Sequence, residues 1–364
     1  PAAGRDPAPA QRKLTRIRST LTVAGRDDSV DLYRALALHR AAATRLKSLR
    51  DQGQVPAATR CGLGYEAVSA GAARALRTAD DGTGDVIAPT LDNPGAFFVF
   101  GGTPLEFFRQ RLARDSAPGR GREPGMCPTD FERGLAGPAA LPGTMVEVMA
   151  GITLAFRLRS QDRVGLVFSG EDETSTSAWH EGINFAAAQR CPLIVVVQAG
   201  TEASIGAHTR VRDFGQKAAG YGVASASVDG GDVLAVHQAV LAAAERARSG
   251  KGTTLVEVRG CPVYRRVHRT AKADEEVHPD ENPPDPVARF RTRLVEERIA
   301  RASDLDEVER GARSEVRAAC EQALGESSPA EERALGGVYG GDPGTPPWYR
   351  LEPPARGLAL ASTT

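Results

Sequence analysis

The sequence of 364 residues lacks the features that define several large classes of protein. Its five cysteines are scattered, with no C-x-x-C pair and no Cys/His cluster at zinc spacing, which indicates a reducing compartment. Lys plus Arg and Asp plus Glu are equal at 46 each, so no net charge attracts nucleic acid or an anionic membrane. The longest strongly apolar run, 193–197, is far shorter than a membrane span.

The signatures of three common enzyme classes are also missing. No G-x-S-x-G elbow supports a serine hydrolase, and Gly119-Arg120-Gly121 lacks the third glycine of a dinucleotide fingerprint. Gly250-Lys251-Gly252 lacks the upstream glycine of a phosphate loop and follows a predicted helix, so a helix-ending turn is favoured there.

The chain is expected to divide into three parts. Residues 1–28 are rich in Arg, Ala and Pro without a period and show no secretory signal. They predict a flexible arm, with a remnant of a transit-type segment as the alternative. Residues 29–285 predict one α/β domain, and residues 286–364 a helical C-terminal extension and tail.

Strand and helix patterns alternate along the middle of the chain. A buried strand, a helix with apolar spacing and a second buried strand form a βαβ unit over 164–197. This alternation predicts a doubly wound, mostly parallel sheet flanked by helices. Residues 115–144 predict one long ordered loop, and Ser303 is a candidate N-cap. Strands are predicted over 86–88, 164–168, 193–197, 225–228 and 253–258, and helices over 31–50, 64–76, 104–112, 145–159, 175–190, 213–221, 232–248, 286–302 and 304–324.

Ligands of open parallel sheets bind beyond the carboxyl ends of the strands, which directs attention to the turn after residue 168. Glu171, Asp172 and Glu173 follow that strand, and three acids there could coordinate a hard cation. The equal alternative is a solvated acidic turn that caps the next helix. His208 and His268 follow other strands and are further site candidates, whereas His180, on a helix, is predicted to be structural.

The segment 170–197 resembles the thiamine diphosphate motif of α subunits of pyruvate and branched-chain 2-oxo-acid dehydrogenases. That motif begins Gly-Asp-Gly-Ala-Thr-Ser and ends in Asn-Asn. Further similarity over residues 30–350 includes Gly64-Tyr65-Glu66-Ala67, Val228-Asp229-Gly230 and Asp285-Pro286. The gapless matches in the motif are Gly170, Thr174, Ser175, His180, Glu181, Asn184, Phe185, Ala186, Ala187 and Pro192.

The resemblance implies an α-type subunit of the decarboxylating component, with a thiamine-diphosphate-binding fold. Such a subunit holds magnesium and thiamine diphosphate for oxidative decarboxylation of a 2-oxo acid and acyl transfer to lipoamide. It implies a β-type subunit and a lipoyl acyltransferase core as partners, in a homodimer or α2β2 tetramer. It also implies a cytoplasmic location, or the mitochondrial matrix in a eukaryote.

The same resemblance assigns site residues. The metal positions are Glu171 and Ala199, and the catalytic candidates are His208 and His268, of which His268 stands near the place of the family's loop histidine. The cofactor-binding positions are Gly170, Glu171, Asp172, Glu173, Thr90, Leu91, Gly143 and Gly200.

Several of these positions depart from the family pattern. Glu171 and Ala199 replace the metal-binding Asp and Asn, and Asp172 replaces a glycine that lets backbone approach the diphosphate. Leu91 replaces a phosphate-binding Arg, and Cys127 replaces a His. The chain is therefore either an enzyme subunit or a non-catalytic paralogue with a structural or regulatory role. A cation site of Glu171, Asp172 and Glu173 without thiamine is a third hypothesis.

Overall fold

A computed structural model of the chain describes residues 26–57, 59–125, 127–137, 141–200, 209–261 and 285–332. Ten α-helices and five β-strands lie in these ranges. The strands are β1 (Val86–Ala88), β2 (Gly165–Gly170), β3 (Leu193–Gln198), β4 (Ala224–Asp229) and β5 (Thr254–Arg259). The helices are α1 (Arg26–Asp51), α2 (Glu66–Arg74), α3 (Pro94–Val99), α4 (Pro104–Arg111), α5 (Thr144–Leu158), α6 (Ser177–Ala188), α7 (Phe214–Gly220), α8 (Val233–Arg246), α9 (Pro286–Glu296) and α10 (Ala302–Gly325).

The five strands form one parallel sheet in the order β1-β2-β3-β5-β4. All six residues of β3 are buried, and so are the first five of β2. Continuous burial on both faces explains why these strands are apolar runs rather than alternating sequences. The predicted doubly wound sheet is confirmed, and every strand in it is parallel.

Each face of the sheet carries its own apolar layer. On one face α5, α6 and α7 contribute Val146, Met149, Trp179, Ile183 and Phe214. On the other face α2, α3, α4 and α8 pack with parts of α1 and α10. Successive residues of β3 alternate between the two layers, as the two-residue period of a strand requires.

Helices α9 and α10 pack on α1 through a third apolar cluster that includes Leu36, Phe290 and Leu305. Arg40 of α1 reinforces this contact, since its guanidinium donates to Glu66 at 2.5 Å and to Asp285 at 2.7 Å. Glu66 is fully buried, so its charge needs this partner. The ion pairs thus join the start of α9 to α1 and α2.

Two local predictions need correction, and one short helix was missed. Helix α3 was not predicted; Pro94 starts it, and the fixed φ of proline suits a first helical position. Ser303 is not an N-cap, because α10 begins at Ala302 after Arg301, and Ser303 lies in its first turn. Helix α9 ends at Glu296 instead of 302, since Arg298 takes a left-handed conformation with φ 57°.

All five cysteines are free and buried. Burial raises the pKa of the Cys61, Cys127, Cys191 and Cys261 thiols, which keeps them protonated and inert. Across the described part of the chain, no helix has the length and apolar character needed to cross a membrane.

Leu166→Ala in β2 should lower the free energy of unfolding by about 2–5 kcal/mol, because it leaves a cavity between the sheet and its helices. Leu166 is fully buried, whereas Leu158 at the end of α5 is 70% exposed. Leu158→Ala is therefore the matched control and should change stability by less than about 0.5 kcal/mol. Urea unfolding followed by circular dichroism measures both, and equal effects would contradict the assigned core.

Candidate cofactor site at the carboxyl edge of the sheet

The carboxyl ends of β2 and β3 lie side by side, with Gly170 paired to Gln198. The chain leaves β2 through Glu171 and Asp172 into a short 3₁₀ turn, Glu173–Ser175, before α6 begins. It leaves β3 through Ala199 and Gly200. The two connections therefore meet at one edge, as the βαβ pattern predicts.

Glu171 is 9% exposed, and its carboxylate accepts a hydrogen bond from the Gly200 N–H at 2.9 Å. Its main-chain carbonyl accepts the Thr174 hydroxyl at 2.7 Å, which fixes the turn. The expected solvated turn that caps the next helix is thus wrong for Glu171. The N-cap of α6 is instead Thr176, whose hydroxyl accepts from the Trp179 N–H.

Glu173 makes a second bond of the same kind from the other side of the turn. Its carboxylate accepts the Gly143 N–H at 3.1 Å, at the start of α5. Burial raises the pKa of Glu173, and Asp172 adds to that rise, while hydrogen bonds from Gly170 and Gly143 and the charge of Arg60 oppose it. Gly143 has φ 82°, a conformation that favours glycine, and the Thr176 hydroxyl leaves no room for a side chain there.

The three acids do not converge. Glu171 faces Gly200, Glu173 faces Gly143, and Asp172 is exposed with a carboxylate oxygen beside Gly170. In the ranges that the structure describes, no group of three or more His, Cys, Asp or Glu side chains is placed to hold a metal ion. The hypothesis that these acids form a cation site by themselves is therefore not supported by their geometry.

Ala199 has no side-chain oxygen, and its backbone is fully used. Its N–H donates to the Val258 carbonyl at 2.8 Å, and its own carbonyl accepts the Cys261 N–H at 3.0 Å. The residue is completely buried. The position that the family pattern assigns to a metal ligand thus presents no free oxygen.

The Thr90-Leu91 segment is held by the protein itself. The Thr90 hydroxyl donates to the Asn93 side chain at 2.6 Å, and the Leu91 carbonyl accepts from Arg111 at 3.1 Å. Arg111 also donates to the Gly125 carbonyl at 2.6 Å, and burial lowers the pKa of its guanidinium. Arg60 forms an ion pair with the adjacent buried Asp92. These two arginines flank Leu91, which is predicted to be a cofactor-binding position.

Lys217 of α7 stabilises the turn after β2 through Thr174. Its ammonium donates to the carbonyl and the hydroxyl of Thr174, both at 2.9 Å. It lies 5.7 Å from the centre of the Trp179 ring and 5.5 Å from that of Phe214, so cation–π attraction adds to the hydrogen bonds. Burial lowers the pKa of this lysine. Neither Lys217 nor Arg111 was predicted as a site residue.

The three histidines considered in the sequence analysis divide into two groups. His180 bonds the Tyr221 hydroxyl and packs against Trp179, which agrees with a structural role. The catalytic candidates His208 and His268 lie outside the described residues, so their assignment remains a prediction. The structure therefore brings together Gly143, Gly170, Glu171, Glu173, Ala199 and Gly200 from the predicted set.

These described residues do not fit magnesium diphosphate. The backbone N–H groups of Gly200 and Gly143, donors of the type that binds phosphate, are already bonded to glutamate carboxylates. Leu91 supplies no charged donor, and Ala199 supplies no metal ligand. A diphosphate would meet three carboxylates on the turn where the family pattern has one.

Comparison with known proteins gives a family match over residues 33–332, to the family described as Dehydrogenase E1 component. One relative is the 2-oxoisovalerate dehydrogenase subunit alpha of Bacillus subtilis, 31% identical over 328 residues, which are 86% of this chain and 95% of the relative. The pyruvate dehydrogenase E1 component subunit alpha of Rhizobium meliloti is 25% identical over 319 residues, 85% and 89% of the two chains. The alpha subunit of acetoin:2,6-dichlorophenolindophenol oxidoreductase from Cupriavidus necator is 25% identical over 314 residues, 85% and 93%.

Glu173→Gln should stabilise the protein at neutral pH, because the raised pKa means that burial disfavours the charged carboxylate. A raised pKa makes the folded protein bind the proton more tightly than the unfolded chain. The gain over wild type should therefore be largest above the pKa of Glu173 and vanish below the ordinary glutamate pKa of about 4.3. Urea midpoints from pH 4 to pH 8 test this, with the exposed Glu181→Gln as control. A difference that does not change with pH would contradict the assignment.

Proposed function

The chain belongs to the dehydrogenase E1 component family, and from this premise we propose that it is an α-type subunit that does not itself hold magnesium and thiamine diphosphate. Its homologues are E1 α subunits of 2-oxo-acid dehydrogenases, which supports the family role. In this proposal the chain contributes structure or regulation to an assembly whose chemistry is carried out on another subunit.

One observation carries the proposal: the glutamates of the turn after β2 occupy the backbone donors at the site. Glu171 takes the Gly200 N–H and Glu173 takes the Gly143 N–H. A hydrogen bond to a charged group contributes about 1.5–3 kcal/mol. Displacing both would cost a diphosphate about 3–6 kcal/mol, which weakens binding by roughly 10²–10⁴-fold.

The negative charges of the turn also weaken the binding of a diphosphate. The displaced carboxylates of Glu171 and Glu173 would stay near the incoming anion, and Asp172 adds a third negative charge on the same turn. The nearest supporting cations, Lys217 and Arg60, are engaged with Thr174 and Asp92. The site thus lacks a free cation that would favour diphosphate over the internal carboxylates, as judged from the described side chains.

The second candidate is a cofactor-binding α subunit of a 2-oxo-acid dehydrogenase. The observation in its favour is that Glu171 keeps an oxygen donor at one metal position, while Arg60 and Arg111 flank Leu91. When bound, thiamine diphosphate would supply the carbanion chemistry. A β-type subunit and a lipoyl acyltransferase core would be the expected partners, and His208 and His268 would remain the catalytic candidates.

Assembly with another subunit is supported by an exposed apolar surface on α5 and α6, which we define by Val148, Leu158 and Phe185. Their exposed fractions are 43%, 70% and 44%. Val148 and Leu158 lie on one side of α5 together with exposed Gly151, and α6 packs directly on α5. Exposed large apolar side chains on neighbouring helices are typical of subunit contacts. We propose that a β-type subunit covers this surface, in an α2β2 assembly.

Isothermal titration calorimetry with thiamine diphosphate and Mg²⁺ tests the cofactor proposal. The full chain should show no binding at micromolar concentrations, either alone or coexpressed with a β-type subunit, because the internal carboxylates occupy the donors. The catalytic candidate predicts micromolar binding, and such a result would sink the non-catalytic proposal.

A four-site variant provides the positive control for that titration. Glu171→Asp, Asp172→Gly, Ala199→Asn and Leu91→Arg together restore the family's ligands and shorten the side chain that reaches Gly200. The variant should gain at least tenfold in cofactor affinity. No gain at all would mean that the site is misplaced.

The surface of Val148, Leu158 and Phe185 makes a separate prediction about assembly. Val148→Glu should greatly reduce the amount of coexpressed β-type subunit that copurifies with the chain, because a charge cannot be buried unpaired at an apolar contact. Leu241→Glu is the control, since Leu241 is also partly exposed but lies on α8, which packs on the other face of the sheet. Size-exclusion chromatography with light scattering measures both, and unchanged assembly of the Val148 variant would refute this surface.

A further inference from the structure

A cavity of about 300 Å³ lies at the amino end of β1, at the opposite edge of the sheet from the Glu171 turn. Its walls are mostly apolar and come from Val86 of β1 and from Ile152 and Phe156 of α5. Phe131, 54% exposed, stands at its rim. The volume is at the lower end of the range for small-molecule sites.

One positive charge faces this apolar space. The Arg163 guanidinium lies over the Phe156 ring, with 4.3 Å between its carbon and the ring centre. Its Nε donates to the Gly84 carbonyl, which fixes the orientation of the group. Arg163 forms no ion pair with any carboxylate in the described ranges; burial lowers its pKa, and the nearby charges of Asp85 and Asp81 oppose that shift. The guanidinium is thus oriented and partly desolvated, and no described carboxylate lies within ion-pair distance of it.

The nearest buried acid is already committed elsewhere. Asp85 is 1% exposed and pairs with Arg248 at 2.5 Å. It also accepts the backbone N–H of Arg77 at 2.8 Å and of Val164 at 2.9 Å. These contacts use both carboxylate oxygens of Asp85. The second nearby acid, Asp81, accepts hydrogen bonds from the N–H and the hydroxyl of Thr83. Neither acid lies within ion-pair distance of Arg163, so its outer nitrogens can pair with an anion from outside the chain.

We propose that this cavity binds a small monocarboxylate with an apolar body. The carboxylate would take the free edge of the Arg163 guanidinium, and the hydrocarbon part would lie between Ile152, Phe156 and Phe131. A guanidinium matches a carboxylate in a bidentate manner, and the low-dielectric walls strengthen that pairing.

Two features narrow the ligand class. The exposed Glu132 at the rim disfavours a second negative charge, which points to a monocarboxylate rather than a dicarboxylate or a phosphate ester. The size of the cavity suits one aryl ring or a branched aliphatic group, not an extended peptide. The site is remote from the Glu171 turn, so its occupancy does not depend on whether thiamine diphosphate binds.

Phenylacetate and its neutral isostere phenylacetamide are the probes for the test. With the full chain, saturation-transfer NMR and calorimetry should detect phenylacetate, and phenylacetamide should bind at least tenfold more weakly, because the charge-assisted bond is lost. Equal binding of the two probes, or no binding of phenylacetate at millimolar concentration, would overturn the proposal.

Substitutions then locate the bound probe. Arg163→Gln should weaken phenylacetate binding at least tenfold. The control is Arg159→Gln, which changes an exposed arginine directly after α5 and should leave binding unchanged. Ile152→Trp fills the cavity from α5 while it keeps the charge, and should also abolish binding, so the test survives if the Arg163 variant unfolds. Phenylacetate binding that persists in the folded Ile152 variant would refute this cavity as the site.

Discussion

The hydrogen bond from the Gly200 N–H to the Glu171 carboxylate joins the ends of two central strands of the sheet. Because β2 and β3 are parallel, they end at the same edge of the sheet. Backbone N–H and C=O groups just beyond these ends have no partner in the sheet. In this chain the side chain of Glu171 satisfies one such donor, and Glu173 satisfies a different one, the N–H of Gly143 at the start of α5. The backbone donors around the turn are therefore satisfied by side chains of the protein itself. Lys217 stabilises the turn further through hydrogen bonds to Thr174.

The turn after β2 is surrounded by a well-packed apolar scaffold. The apolar strands, the packing of Trp179 and the tight contact of Gly182 with the backbone of α5 are what any protein of this architecture needs to close its core. Leu91 and Asp172 lie outside the three apolar clusters, whereas Ala199 is completely buried in the layer formed with α5, α6 and α7. Most of the residues that close the core are therefore different from the predicted cofactor positions.

Much of this architecture follows from sequence patterns, because buried parallel strands and amphipathic helices leave periodic signals. Val86–Ala88 and Leu193–Gln198 lie where the apolar runs predicted strands. Helix α3 carries only six residues and no usable period, and the capping at Arg301 depends on how α10 docks. Side-chain contacts between residues far apart in the chain give no periodic pattern in the sequence. Lys217 binds Thr174, which lies 43 residues earlier, and Arg111 donates to carbonyls whose positions depend on the folded loops. Sequence placed Glu171 and Glu173 at the right edge but could not show that each would face a backbone donor.

The five buried thiols allow local unfolding of this protein to be measured by chemical labelling. Cys191 lies under α5 and α6 on one face of the sheet, while Cys61, Cys127, Cys261 and Cys320 lie in the layer on the other face. A thiol becomes reactive only when its surroundings open, so the rate of alkylation at each cysteine reports the local free energy of opening there. The chain thus carries built-in labels on both faces of its sheet, and the order in which they react reveals which layer separates first.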